Sequence, residues 1–167
     1  MNFLLQALSH WADVRPDAVA FVDGDESITY AQLRRRVGGL ALETAVLPDR
    51  VGLLAPNSID WIVADLAMWQ NARSIVPMPE FFSDSQLAHI LTDGGINVVL
   101  TMEQSADRVR ALGALPVIIG DSEAEMPHPG DAGGDGGSRI IYTSGSTGKP
   151  KGVVLGPVQL QNTCESL

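Results

Sequence analysis

Residues 140–153 read Ile-Ile-Tyr-Thr-Ser-Gly-Ser-Thr-Gly-Lys-Pro-Lys-Gly-Val, a combination of types suited to gripping a polyphosphate. Gly145 and Gly148 let backbone N–H groups turn toward an anion, and Thr143, Ser144, Ser146 and Thr147 add hydroxyl donors. Lys149 and Lys151 add positive charge; they are the only lysines in the chain, the other nine basic residues being arginines. Pro150, between them, has no N–H to donate and restrains the way out of the loop. A Gly/Ser/Thr stretch is also the composition of a plain connector, so the paired lysines carry the chemical argument. The Walker spacing is absent: Thr143, not glycine, stands five residues before Gly148, and neither Ser nor Thr follows Lys149. Val153-Val154-Leu155 follows where a Walker loop would open a helix, so the loop is expected to join two strands. The missing Walker spacing also disfavours an independent nucleotide phosphohydrolase, as does the lack of an acidic pair for Mg²⁺.

No other group of residues competes with this one. His10, His89 and His128 have no metal-ligand spacing, and no carboxylate dyad or serine-centred elbow is visible. We therefore assign no catalytic residue and no metal ligand within the chain. Cys164 stands alone and cannot form an intramolecular disulfide, which fits a reducing cytoplasm. Arg34-Arg35-Arg36 would point in three directions on a helix and reads as solvated or salt-bridged surface. Trp11, Trp61 and Trp69 fall on helical faces and read as core.

The elements that must position the loop follow from periodicity. Leu4, Leu5, Leu8, Trp11 and Ala12 predict an opening helix that ends before Pro16. Short strands over 18–22 and 27–29 flank an Asp23-Gly24-Asp25 turn. Thr29 and Gln32 form a capping box for a helix whose apolar face is Leu33, Val37, Leu40 and Ala41. Strands over 51–55, 74–77, 97–101 and 117–119 then alternate with helices. These carry Ile62, Leu66 and Trp69, then Leu87, Ile90 and Leu91, then Ala106, Val109 and Leu112. Asn57 or Ser58 caps the first of these and Ser83 with Gln86 the second, which Gly94-Gly95 stops. Such alternation implies an α/β fold, a parallel sheet flanked by helices. A short antiparallel strand pair, 139–143 and 152–155, carries the loop. The expected organisation is an α/β subdomain over 1–120, a flexible Gly/Pro/acidic linker over 121–138, and the strand–loop–strand unit with the start of a helix over 139–167. Leu160, Cys164 and Leu167 share a helical face without a C-cap, so a truncated helix is expected there.

The chain has 167 residues, 45% of them hydrophobic, and a formal net charge of −9. That is enough for a globular core and argues against nucleic acid or an anionic membrane surface as a partner. No segment has the make-up of a signal peptide or a membrane span, so a cytoplasmic protein is expected.

Residues Tyr142 to Gly152 resemble, without a mismatch, the phosphate-loop signature of the adenylate-forming (AMP-binding) superfamily, which includes acyl-CoA synthetases, amino-acid adenylation domains and luciferase-like enzymes. Ile28-Thr29-Tyr30-Ala31-Gln32-Leu33, then Val51 to Ser58 with Trp61, then Val76-Pro77-Met78-Pro79 with Ser83 and Leu87, resemble its earlier segments in the same order. The resemblance implies an ATP-dependent acid–thiol ligase that activates a carboxylic acid as acyl-AMP. CoA or a carrier-protein phosphopantetheine would accept the acyl group, with Mg²⁺ beside the ATP. It also implies that Thr143, Ser144, Gly145, Ser146, Thr147, Gly148, Lys149 and Lys151 bind the phosphates. The family's ribose-binding acidic residue and its catalytic lysine lie further on than these residues reach, so this chain alone is expected to be inactive. Two departures stand out: Asn71-Ala72-Arg73 stands where relatives often carry Ala-Gly and then a small or apolar residue, and Gly156-Pro157-Val158-Gln159 lacks a frequent histidine. The competing reading is a non-catalytic short paralogue or a subdomain that binds a partner through an exposed apolar face; self-association of the chain through a truncated face is expected separately.

Overall fold

A computed structural model describes residues 3–126, 137–143 and 150–165. Helix α1 (Phe3–Val14) is followed by an antiparallel hairpin of β1 (Val19–Asp23) and β2 (Glu26–Thr29), then by α2 (Tyr30–Glu43). Both halves of the Thr29/Gln32 capping box are made, so the local sequence sets where α2 starts. The chain then alternates β3 (Arg50–Leu54), α3 (Ile59–Gln70), β4 (Ser74–Pro77), α4 (Asp84–Gly94), β5 (Val98–Thr101), α5 (Ala106–Ala111) and β6 (Leu115–Ile118). It closes with β7 (Arg139–Thr143), β8 (Lys151–Leu155) and α6 (Pro157–Glu165). Ser58, rather than Asn57, caps α3, and Ser83 with Gln86 caps α4.

Six strands form one sheet in the order β6-β5-β3-β4-β7-β8. Every neighbouring pair is parallel except β7 with β8, which is antiparallel. Alternate strand residues face opposite layers, as strand geometry requires. Val51, Leu53, Ile75, Val98 and Leu100 pack with α1, α2 and α3. Leu54, Val76, Val99, Ile140 and Tyr142 pack with α4 and with Val109 of α5. The expected α/β class, with a helix-flanked parallel sheet and an antiparallel strand pair, is the one observed. The segments after β3 and β4 therefore leave toward opposite layers, which opens a crevice between those strands at their carboxyl ends. A cleft of about 340 Å³ lies there, lined by Pro56, Asn57, Trp61, Met78, Glu80 and Phe81 among others.

Sequence and structure differ in two places. Trp69 is fully buried, but Trp11 is 38% exposed, lying beside Tyr30 with the Arg15 guanidinium over its ring. It sits at the rim of the α1 face, so it is not core in the sense expected. The linker expected from Asp121 begins as packed chain. Residues 121–126 run along α2: the Ala124 N–H donates to the Arg35 carbonyl, Glu123 pairs with Arg35, and Met126 is buried. Gly38 and Gly39 permit this approach, since a Cβ on either would collide with the backbone of 122–126. Residues 127–136 of that linker lie outside the described residues, and its last residue, Ser138, is bonded to Ser74 and Ile75 of β4. All three arginines are ion-paired, Arg34 with Asp13 and Arg35 with Glu123 toward solvent, while Arg36, with only 14% of its side chain exposed, pairs with Asp60 and Asp121.

Candidate functional site

The loop's two stems are strands β7 and β8, paired in register from Arg139 opposite Leu155 to Thr143 opposite Lys151. Because β7 runs parallel to β4, Thr143 ends at the same carboxyl edge of the sheet as the cleft between β3 and β4. Thr143 and Lys151 are both exposed there, and among the described residues Lys151 has no ion-pair partner. Ser144, Gly145, Ser146, Thr147, Gly148 and Lys149 lie outside the described residues. The structure thus brings two of the eight expected phosphate ligands together, directly across a strand pair. A hydroxyl and an ammonium placed this way suit phosphate oxygens, the one as a neutral donor and the other as a point charge.

β7 is fixed from below. The Arg139 guanidinium makes a two-pronged ion pair with Asp65 of α3, Nε to Oδ1 at 2.9 Å and Nη2 to Oδ2, and lies 5.3 Å from the Trp69 ring centre. Asp65 is only 4% exposed. The Ile75 N–H donates to the Ser138 carbonyl at 2.9 Å, and the Ser74 and Ser138 hydroxyls meet at 2.8 Å. Gly152 sits opposite Tyr142, whose ring folds over it: a Cβ there would lie 3.1 Å from both Tyr142 Cζ and Ile140 Cγ2. The signature's tyrosine and its last glycine are therefore a packing pair.

Tyr142 also donates its hydroxyl to Asp93 Oδ2 of α4 at 2.7 Å. Burial, reinforced by the hydrogen bond to Asp93 and that residue's negative charge, pushes the phenol up to about 12, with Arg50 opposing. Near Pro150, His89 Nε2 lies 3.1 Å from the proline's carbonyl oxygen. Sequence reasoning named neither His89 nor Asp93 for the site. Their spacing of one helical turn was the available signal, but it says nothing of what faces them.

A family described as AMP-binding enzyme matches residues 8–167. The chain belongs to that family. Among relatives of this AMP-binding chain is the feruloyl-CoA synthase of Amycolatopsis sp, 37% identical over 163 residues, which covers 90% of the chain and 33% of the synthase. Another is the chondramide synthase cmdD of Chondromyces crocatus, 39% identical over 155 residues, covering 84% of the chain and 4% of the synthase. The chain thus spans a third or less of these relatives. Of solved structures, the N-terminal domain of FACL13 from Mycobacterium tuberculosis matches with a TM-score of 0.75 at 30% identity, covering 94% of the chain and 45% of that domain's chain. A malonyl-CoA ligase complexed with methylmalonyl-CoA and AMP matches with a TM-score of 0.73 at 28% identity, covering 90% and 32%. Among the described residues no helix is long and apolar enough to cross a membrane.

Proposed function

We propose that residues 142–152 hold the phosphates of ATP in an enzyme that activates a carboxylic acid as acyl-AMP and passes it to CoA or a carrier-protein thiol. The observation that carries this reading is the unbroken Tyr142–Gly152 signature on a strand pair whose stems reach the carboxyl edge of a parallel sheet at Thr143 and Lys151, in a chain of the AMP-binding family. Ligands of such sheets bind outside that edge. The donor set fits the group by residue type: Thr143, Ser144, Ser146 and Thr147 offer hydroxyls, Gly145 and Gly148 carry no side chain to shield a backbone N–H, and Lys149 and Lys151 offer charge. ATP would supply the electrophilic phosphorus and its pyrophosphate leaving group, and Mg²⁺ would offset part of the phosphate charge. The chain's own part is to bind and orient the β- and γ-phosphates and to stabilise negative charge on the departing pyrophosphate. The acid's pocket, the ribose contacts and the catalytic lysine belong, on this reading, to residues beyond these, so the 167-residue chain makes no acyl-adenylate.

The test is tryptic cleavage after Lys151 with and without Mg-ATP; Pro150 blocks the bond after Lys149. Mg-ATP should slow this cleavage in the enzyme extended to the full length of its relatives and leave the 167-residue chain unaffected, because phosphate contacts alone are weak. Cleavage unaffected in both would show that the loop does not close on phosphate.

The partner-binding alternative has one observation in its favour. β8 is an edge strand, and Val153, Val154 (63% exposed) and Val158 leave apolar surface bare beside it. Open edges with apolar side chains invite pairing. On this second reading the 167-residue chain associates with another copy despite its charge. Sedimentation equilibrium should show mass above the monomer at high concentration, and monomer alone would remove it.

A further inference from the structure

We propose that α4 holds the loop by both of its stems, with His89 and Asp93 acting as positioning residues. Only the consequence for ATP rests on the phosphate-holding reading above; the geometry stands apart from it. The two residues are four apart on one helix and so share a face. His89 Nε2 meets the carbonyl of Pro150 at 3.1 Å, and Asp93 Oδ2 receives the Tyr142 hydroxyl at 2.7 Å. A carbonyl only accepts, so Nε2 is the donor and carries the proton. Pro150 has no N–H, and its carbonyl belongs to the peptide that leads into Lys151, so this bond ties down the backbone at the start of the trailing stem. Asp93 fixes the leading stem one residue before Thr143, the first of the expected donors.

The clamp is useful because α4 is itself packed and held at both ends. Leu87, Ile90 and Leu91 bury its inner face. Its N-terminus has a complete capping box, and Arg108 holds the turn before it, donating to Asp84 Oδ1 at 2.8 Å, the Glu80 carbonyl at 2.9 Å and the Phe82 carbonyl at 2.7 Å. At the other end Gly95 caps the helix in a left-handed conformation, and Arg50 donates to the Gly94 carbonyl at 2.7 Å. A loop referenced at both stems to such a helix presents its donors with less ordering left to do on binding.

The first arm of the experiment uses the 167-residue chain without nucleotide. It measures tryptic cleavage after Lys151, with cleavage after the exposed Arg110 as internal reference. His89→Ala and Asp93→Ala should each raise the Lys151 rate about fivefold over the reference, the effect of losing one hydrogen bond on a local opening. His89→Gln keeps a donor and Asp93→Asn keeps an acceptor, so both should stay near the parent rate. An unchanged rate in the alanine variants, equal acceleration at Arg110, or amide variants as fast as the alanine ones would each overturn the clamp. The second arm measures acid-dependent pyrophosphate exchange in the full-length enzyme. There His89→Ala should raise the KM for ATP several-fold with kcat largely kept, and His89→Gln should restore it. Should the first arm succeed while Lys149→Ala exchanges normally, the clamp stands and the phosphate reading falls. Should Lys149→Ala fail to exchange while His89→Ala behaves as the parent in both arms, the clamp falls and the phosphate reading stands.

Discussion

Ala72 has a φ of 52°, alone among non-glycine residues described in the left-handed region. It follows Asn71, the C-cap of α3, and the family resemblance puts glycine at this position. A Cβ costs about 1–2 kcal/mol in that region, and glycine returns about 0.4–1 kcal/mol of it through a freer unfolded chain. Ala72→Gly should therefore raise stability by roughly 0.5–1 kcal/mol, read as a higher midpoint in urea with an unchanged slope. Tyr142 offers a second test at this scale. Its phenol keeps its proton up to about 12 in the fold against 10.0 ordinarily, so the folded state binds that proton more tightly. The resulting stability is fully present below pH 10 and is lost as pH rises from 10 toward 12. Tyr142→Phe should lack this decline, on the order of 2 kcal/mol, when urea unfolding is compared below and within that window.

At the scale of elements, β7 is the hinge of the account, since it connects the sheet to the loop. The Asp65–Arg139 pair is what couples it to α3. Removing one partner of a buried pair leaves a desolvated charge, so Asp65→Ala should cost about 3–5 kcal/mol. Replacing both, Asp65→Leu with Arg139→Met, should recover most of that loss, because the two ions' desolvation then disappears with their attraction. Denaturant midpoints of the two single variants and the double variant decide it; a double variant as unstable as Asp65→Ala would mean that the ion pair is not the coupling. Asp65 shows why such elements are hard to read in a sequence. It interrupts the apolar face of α3 one residue before Leu66, and nothing local announces that an arginine more than seventy positions on will meet it.

For the molecule as a whole, the alternation of apolar strands and capped helices made the parallel sheet legible, because period and capping are local properties. The signature's own stems were equally legible: Ile140 and Tyr142 alternate inward, and the Val153–Leu155 run continues the hairpin. What sequence could not convey was tertiary proximity. Residues 121–126 look like linker because Ala124 and Met126 are their only apolar residues, yet their backbone is received by two glycines of α2. The reliance of the loop on α4 was hidden in the same way. The claim that matters most is that Lys149 and its neighbours act on the pyrophosphate that leaves during acid activation. Its most direct test is to measure both half-reactions of the full-length enzyme carrying Lys149→Ala: adenylate formation by pyrophosphate exchange, and transfer from preformed acyl-AMP to the thiol. Adenylation should fall by about 10²–10³ with transfer close to the parent rate, since no pyrophosphate leaves in the second step. Equal losses in both half-reactions, or none in the first, would contradict the account.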